Sequence, residues 1–118
     1  MLLSGAAAGC KLPAQPGWQK TAQGPVSLAW RARPPLQTGE MFALELALCP
    51  AQARLVTVDA TMPDHGHGMN YSVRLQPAAA SRWRAEGLLW HMVGRWELRF
   101  DVELDGGTQA LRHSVQLQ

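Results

Sequence analysis

Residues 93–104, VGRWELRFDVEL, alternate without a break: Trp96, Leu98, Phe100, Val102 and Leu104 fall on one side of an extended chain, and Arg95, Glu97, Arg99, Asp101 and Glu103 on the other. A period of two is the signature of a β-strand with one dry and one wet face. Such strands belong to antiparallel sheets, since parallel ones are covered on both faces. The tripeptide DGG at 105–107 is a hairpin signal. TQALRHSVQL then returns with Leu111, His113, Val115 and Leu117 on one side.

The same pattern recurs upstream. PVSLAWRA (25–32) aligns Val26, Leu28 and Trp30, and Pro34 and Pro35 end the segment because proline cannot continue a paired strand. EMFALELAL (40–48) aligns Phe42, Leu44, Leu46 and Leu48, and CPAQA reads as a turn. RLVTVDAT (54–61) sets Leu55, Thr57 and Asp59 against Val56, Val58 and Ala60, and MNYSVRLQ (69–76) aligns Met69, Tyr71, Val73 and Leu75. PAAAS reads as a loop before RWRAEGLLWHM (82–92). About seven short strands without a helical period predict an all-β chain, an immunoglobulin-like antiparallel β-sandwich, with a small β-barrel as the alternative. With 118 residues there is one domain. It is expected over 25–118, preceded by a linker over 11–24, where prolines, glycines and glutamines show no period.

The first ten residues, MLLSGAAAGC, are small and apolar and end in AAGC, which resembles a lipobox. They read as the end of a truncated lipoprotein signal, with Cys10 as the lipidated residue and a membrane tether. Cys49 is the one other cysteine. Either Cys10 carries lipid and Cys49 is left odd, or the two form a disulfide that pins the N-terminal arm. No other segment approaches the roughly 18 apolar residues of a spanning helix.

Eleven Lys and Arg against nine Asp and Glu make the chain only mildly basic. No run of basic residues marks a nucleic-acid site or a polybasic membrane patch, so neither partner is expected.

The segment TMPDHGHGMNY, residues 61–71, carries Met62, His65, His67 and Met69 at the spacing M-x-x-H-x-H-x-M. Histidines two apart leave an extended backbone on the same side, and Gly66 and Gly68 free the chain to fold around a ligand. Imidazole and thioether together suit copper, Cu(I) in particular, and suit calcium or magnesium poorly. Without a metal, PDHG is an ordinary β-turn and the methionines fill core gaps. His91 and Met92, in WHMVGRW, stand at a later turn that a sandwich can bring to the same end. Adjacent strand residues point to opposite faces, so if one turns to the loop it is expected to be Met92, with His91 capping the strand end or facing water. Met41 is assigned to the core. His113, on an apolar face, reads as a hydrogen-bonded histidine and not a ligand.

GEMFALELAL, DATMPDHGHGMNY and EGLLWHMVGRWELRFDVEL together resemble the YtkA-like/FixH-like group of small extracytoplasmic bacterial domains. Those domains pair an MPxHGHGM loop with an aromatic-x-Met-x-Gly-x-Trp signature, here Trp90, Met92, Gly94 and Trp96. The resemblance covers residues 36–104, with Val93 where the group often has proline. It implies an immunoglobulin-like sandwich, an extracytoplasmic setting and copper handling or assembly of copper-containing respiratory enzymes. The expected function is a periplasmic, lipid-anchored copper-binding protein, a chaperone, buffer or resistance factor that exchanges Cu(I) or Cu(II) with a copper-transfer or oxidase-assembly partner. The alternative is a metal-free interaction domain that assists assembly of a respiratory or envelope complex. No nucleophile motif or phosphate loop points to an enzyme.

Overall fold

A computed structural model describes residues 10–118. Residues 1–9 of the signal-like segment lie outside the described residues. The strands are β1 (Gln19–Gln23), β2 (Val26–Arg33), β3 (Met41–Cys49), β4 (Arg54–Met62), β5 (His67–Gly68), β6 (Arg74–Ala79), β7 (Arg82–Leu89), β8 (Gly94–Leu104) and β9 (Gly107–Leu117). They form two antiparallel sheets, ordered β1-β2-β3-β7-β6 and β5-β4-β8-β9. With β2, β3, β6 and β7 in places A, B, D and E, and β4, β5, β8 and β9 in places C, C′, F and G, this is the immunoglobulin strand order. No strand is shared between the sheets, so the fold is a sandwich and not a closed barrel.

The β8–β9 hairpin is as its alternation requires. Trp96, Leu98, Phe100 and Val102 are buried, and Asp105 and Gly106 turn the chain with φ of 54° and 80°. Positive φ at both central residues matches the right-handed twist of the flanking strands. From the other sheet, Val26, Leu28, Trp30, Phe42, Leu44, Leu46 and Leu48 meet this row, and Leu111 and Leu117 complete the core.

Three segments depart from the expected pattern. Gln19–Gln23 is not linker but an edge strand on β2; its side chains are mostly exposed, so it carries no apolar period to read. In β4 the register shifts between Leu55 and Thr57, which leaves Val56 and Thr57 both exposed. This bulge puts Leu55 on the buried side together with Val58, Ala60 and Met62. The strand expected at 69–76 begins only at Arg74 and takes in Pro77–Ala79, where a further register shift accommodates proline at the sheet edge.

Of the two alternatives for the cysteines, the disulfide is present: Cys10 is bonded to Cys49. A disulfide sulfur has no valence left for a lipid thioether, so the expectation of a lipidated Cys10 does not hold for this structure. The bond fixes the arm ahead of β1 to the end of β3, where Pro13 is buried and Ala29 and Ala47, on the outer face of their sheet, are also covered. Replacing both cysteines by serine should lower stability by about 2–4 kcal/mol, the usual effect of opening a loop of this kind. Urea unfolding of the double variant, compared with the oxidised and reduced parent, measures it; the variant is expected to match the reduced parent.

Candidate metal centre

β4 and β5 pair through Met62 with His67 and Thr61 with Gly68, so the residues between them form a tight turn. The His65 amide donates to the Met62 carbonyl at 3.1 Å, and Gly66 has a φ of 66°, a left-handed conformation that a side chain resists. Arg95, at the start of β8, grips Asp64 in this turn with two hydrogen bonds of 3.1 Å. The Arg95 hydrogen bonds and then its charge hold the Asp64 carboxyl below its usual value. This exposed pair fixes where the turn sits; Arg95 carried no sequence signal for that role.

The histidines gather. His65 and His67 lie nearly parallel with ring centroids 6.2 Å apart, and His91 stands edge-on to His67 at 6.3 Å. His91 also meets the Trp96 ring at 5.8 Å. All three imidazoles are exposed. The turn after β7 and the HGHG loop therefore do share one end of the sandwich, as the sequence required of a composite site.

The methionines go the other way. Met62 continues the inward row of Val58 and Ala60 and is wholly buried, which removes it from any surface ligand set. Met69 and Met92 are partly buried against the core. The Met92 carbonyl accepts the Trp96 indole N–H at 3.0 Å, so the turn is held with His91 outward. Of the two, it is His91 whose ring lies beside His67. Met41, assigned to the core, is 52% exposed.

A single ion bound by two imidazoles, with bonds of about 2 Å, holds ring centroids roughly 5–6 Å apart. The spacing found is at or just beyond this limit, and among the described residues no three His, Cys, Asp or Glu side chains are gathered as a finished metal cage. Side-chain rotation of exposed rings, without backbone movement, covers such a difference.

Beneath the histidines the support is aromatic. Trp96 stacks on Trp90 with centroids 5.0 Å apart and planes 2° from parallel, and Phe42 meets Trp90 edge-on at 5.2 Å. Gly94 closes the turn with a φ of 130°, and a β-carbon there would lie 2.8 Å from the Met62 Cε. Gly94→Ala should therefore cost about 1–3 kcal/mol through backbone strain and crowding. Urea midpoints measure it, and Met62→Ala in the same chain should not restore them, because the strain remains.

His113 is no part of this cluster. It lines a cavity of about 610 Å³ at the open edge between β2 and β9, with Trp30, Leu36 and Val115. The Trp30 indole N–H donates to its Nδ1 at 3.4 Å. Burial pushes its pKa below the ordinary 6.5. The folded chain thus holds His113 neutral while the unfolded chain takes up the proton first, so stability is full above the ordinary pKa and falls as pH drops below it. The drop in urea midpoint between neutral and mildly acidic solution should be smaller in His113→Gln.

No family model, curated protein or solved structure matches the chain.

Proposed function

We propose that this domain binds copper at the end of the sandwich, through His65, His67 and His91. The observation that carries the reading is the convergence of three exposed imidazoles from two turns, at 6.2 and 6.3 Å, on a support of stacked tryptophans. Three nitrogen donors favour Cu(II), with Cu²⁺ the strongest binder among the first-row divalent ions. The thioethers of Met69 and Met92, turned to the core beside the same loops, are the softer donors that Cu(I) would recruit. An exposed site suits exchange: a partner reaches the ion without the fold opening. The resemblance to the YtkA-like/FixH-like group agrees with this reading and extends it to an extracytoplasmic setting and a copper-transfer or oxidase-assembly partner.

Titration with Cu(II), read by tryptophan fluorescence, tests the proposal because His91 lies against Trp96. One equivalent should quench the fluorescence. His65→Ala with His67→Ala should weaken binding at least about a hundredfold, and His91→Ala about tenfold, in line with the loss of one or two ligands. Affinity should fall with pH, since protons compete for the imidazole nitrogens. Met92→Leu should leave Cu(II) binding nearly unchanged and weaken Cu(I). Unchanged Cu(II) affinity in the triple histidine variant overturns the reading.

A further inference from the structure

The overall charge of +2 hides a sorted surface. On the outer face of the four-stranded sheet every arginine has its own carboxylate: Arg54 with Glu103, Arg95 with Asp64, Arg99 with Asp101 and Arg112 with Glu97. The outer face of the five-stranded sheet is different. Antiparallel register places Arg31 beside Glu45 and Arg84, and Lys20 in the row of Ala29, Ala47 and Arg82. Arg33 and Arg74 share the same face. Glu45 is divided between Arg31 and Arg33, and Glu86 between Arg74 and Arg84. Arg82 has no carboxylate partner among the described residues and leans, like Arg31, over the ring of Trp18. Six cations against two carboxylates leave this face strongly positive.

Two depressions mark the same face. One, of about 510 Å³, is lined by Arg33, Arg74 and Arg84 with Tyr71 and Met41. The other, of about 260 Å³, is lined by Trp18, Arg31 and Arg82. Tyr71 and Met41 are about half exposed, at 49% and 52%. The uncharged segment MLLSGAAAG continues directly from Cys10, and the disulfide holds Cys10 to Cys49, an outward position of this sheet.

From these observations, which are independent of the copper reading, we infer that the outer face of the five-stranded sheet docks on an anionic phospholipid surface. Its guanidinium groups face lipid phosphates, with Tyr71 and Met41 at the headgroup level. Arginine matches phosphate geometry through paired N–H donors, and a basic patch is drawn to anionic lipid within a Debye length. A bilayer is favoured over nucleic acid because the apolar sequence joined to Cys10, which the disulfide ties to the end of β3, and the exposed Tyr71 and Met41 suit a lipid interface and have no use on a phosphodiester backbone.

Flotation of the full chain with vesicles tests this. Binding to vesicles of phosphatidylcholine with about one phosphatidylglycerol in three lipids should exceed binding to phosphatidylcholine alone by about tenfold or more, and the excess should vanish between ~0.1 and ~0.5 M salt. The neutral vesicles report the apolar segment by itself. Arg33→Glu with Arg74→Glu, both at exposed sites, should abolish the excess. Arg99→Glu with Arg112→Glu makes the same change of charge on the opposite face and should retain it. Equal binding to both vesicles, or equal loss in both variants, overturns the proposal. So does displacement from the vesicles by a short DNA duplex at matched phosphate concentration, which assigns the face to nucleic acid.

Discussion

The stack of Trp90 on Trp96 holds together the end of the molecule where the three histidines gather. Trp90 follows the last residue of β7 in one sheet and Trp96 lies in β8 of the other, so two rings 5.0 Å apart join the layers at their rim. Such a contact adds about 0.5–1.5 kcal/mol beyond the burial of the rings. Its larger effect is positional. The Trp96 N–H fixes the Met92 carbonyl, the Trp90 carbonyl accepts the Gly39 amide at 2.8 Å, and the Trp96 ring seats His91. The β2–β3 and β7–β8 connections are thereby referenced to one rigid pair.

Alternation made most of the fold readable. Wherever a strand has one dry face, as in β8 and β9, the buried residues are those that a period of two selects; in β2 the off-period Ala29 is buried as well, beneath the N-terminal arm. The reading failed where that condition fails. β1 is wet on nearly all sides and rich in glutamine, so nothing in its sequence separates it from a linker. The bulge at Val56 breaks the period in mid-strand, and the two-residue β5 is too short to have one. Met62 was legible: extending the row of Val58 and Ala60 by two residues places it in the core.

The site was half legible for a related reason. A turn with two histidines announces donors, but which of two adjacent residues at a second turn faces it depends on one hydrogen bond, from Trp96 to the Met92 carbonyl, that spacing cannot reveal. The charge pattern was hidden in the same way. Arg31, Arg33, Arg74, Arg82 and Arg84 come from three strands and form no run in the sequence, and only the antiparallel register sets them side by side. Composition therefore argued against a basic face that pairing of the strands creates.

The division between imidazoles outside and thioethers inside has a chemical consequence. Imidazole suits Cu(II) and thioether suits Cu(I), so on the copper proposal loops that present the first and shelter the second would couple oxidation state to conformation. Met69 and Met92 leave the core surface only if their packing is given up, whereas the histidines need only rotate. The Asp64–Arg95 pair holds the turn in place while they do so, and the buried Met62 keeps the end of β4 fixed beneath it. On the copper proposal, capture of Cu(II) would then require almost no rearrangement of the fold. On the same proposal, retention of the reduced ion would draw on core packing, so that Cu(I) would be the more readily surrendered of the two.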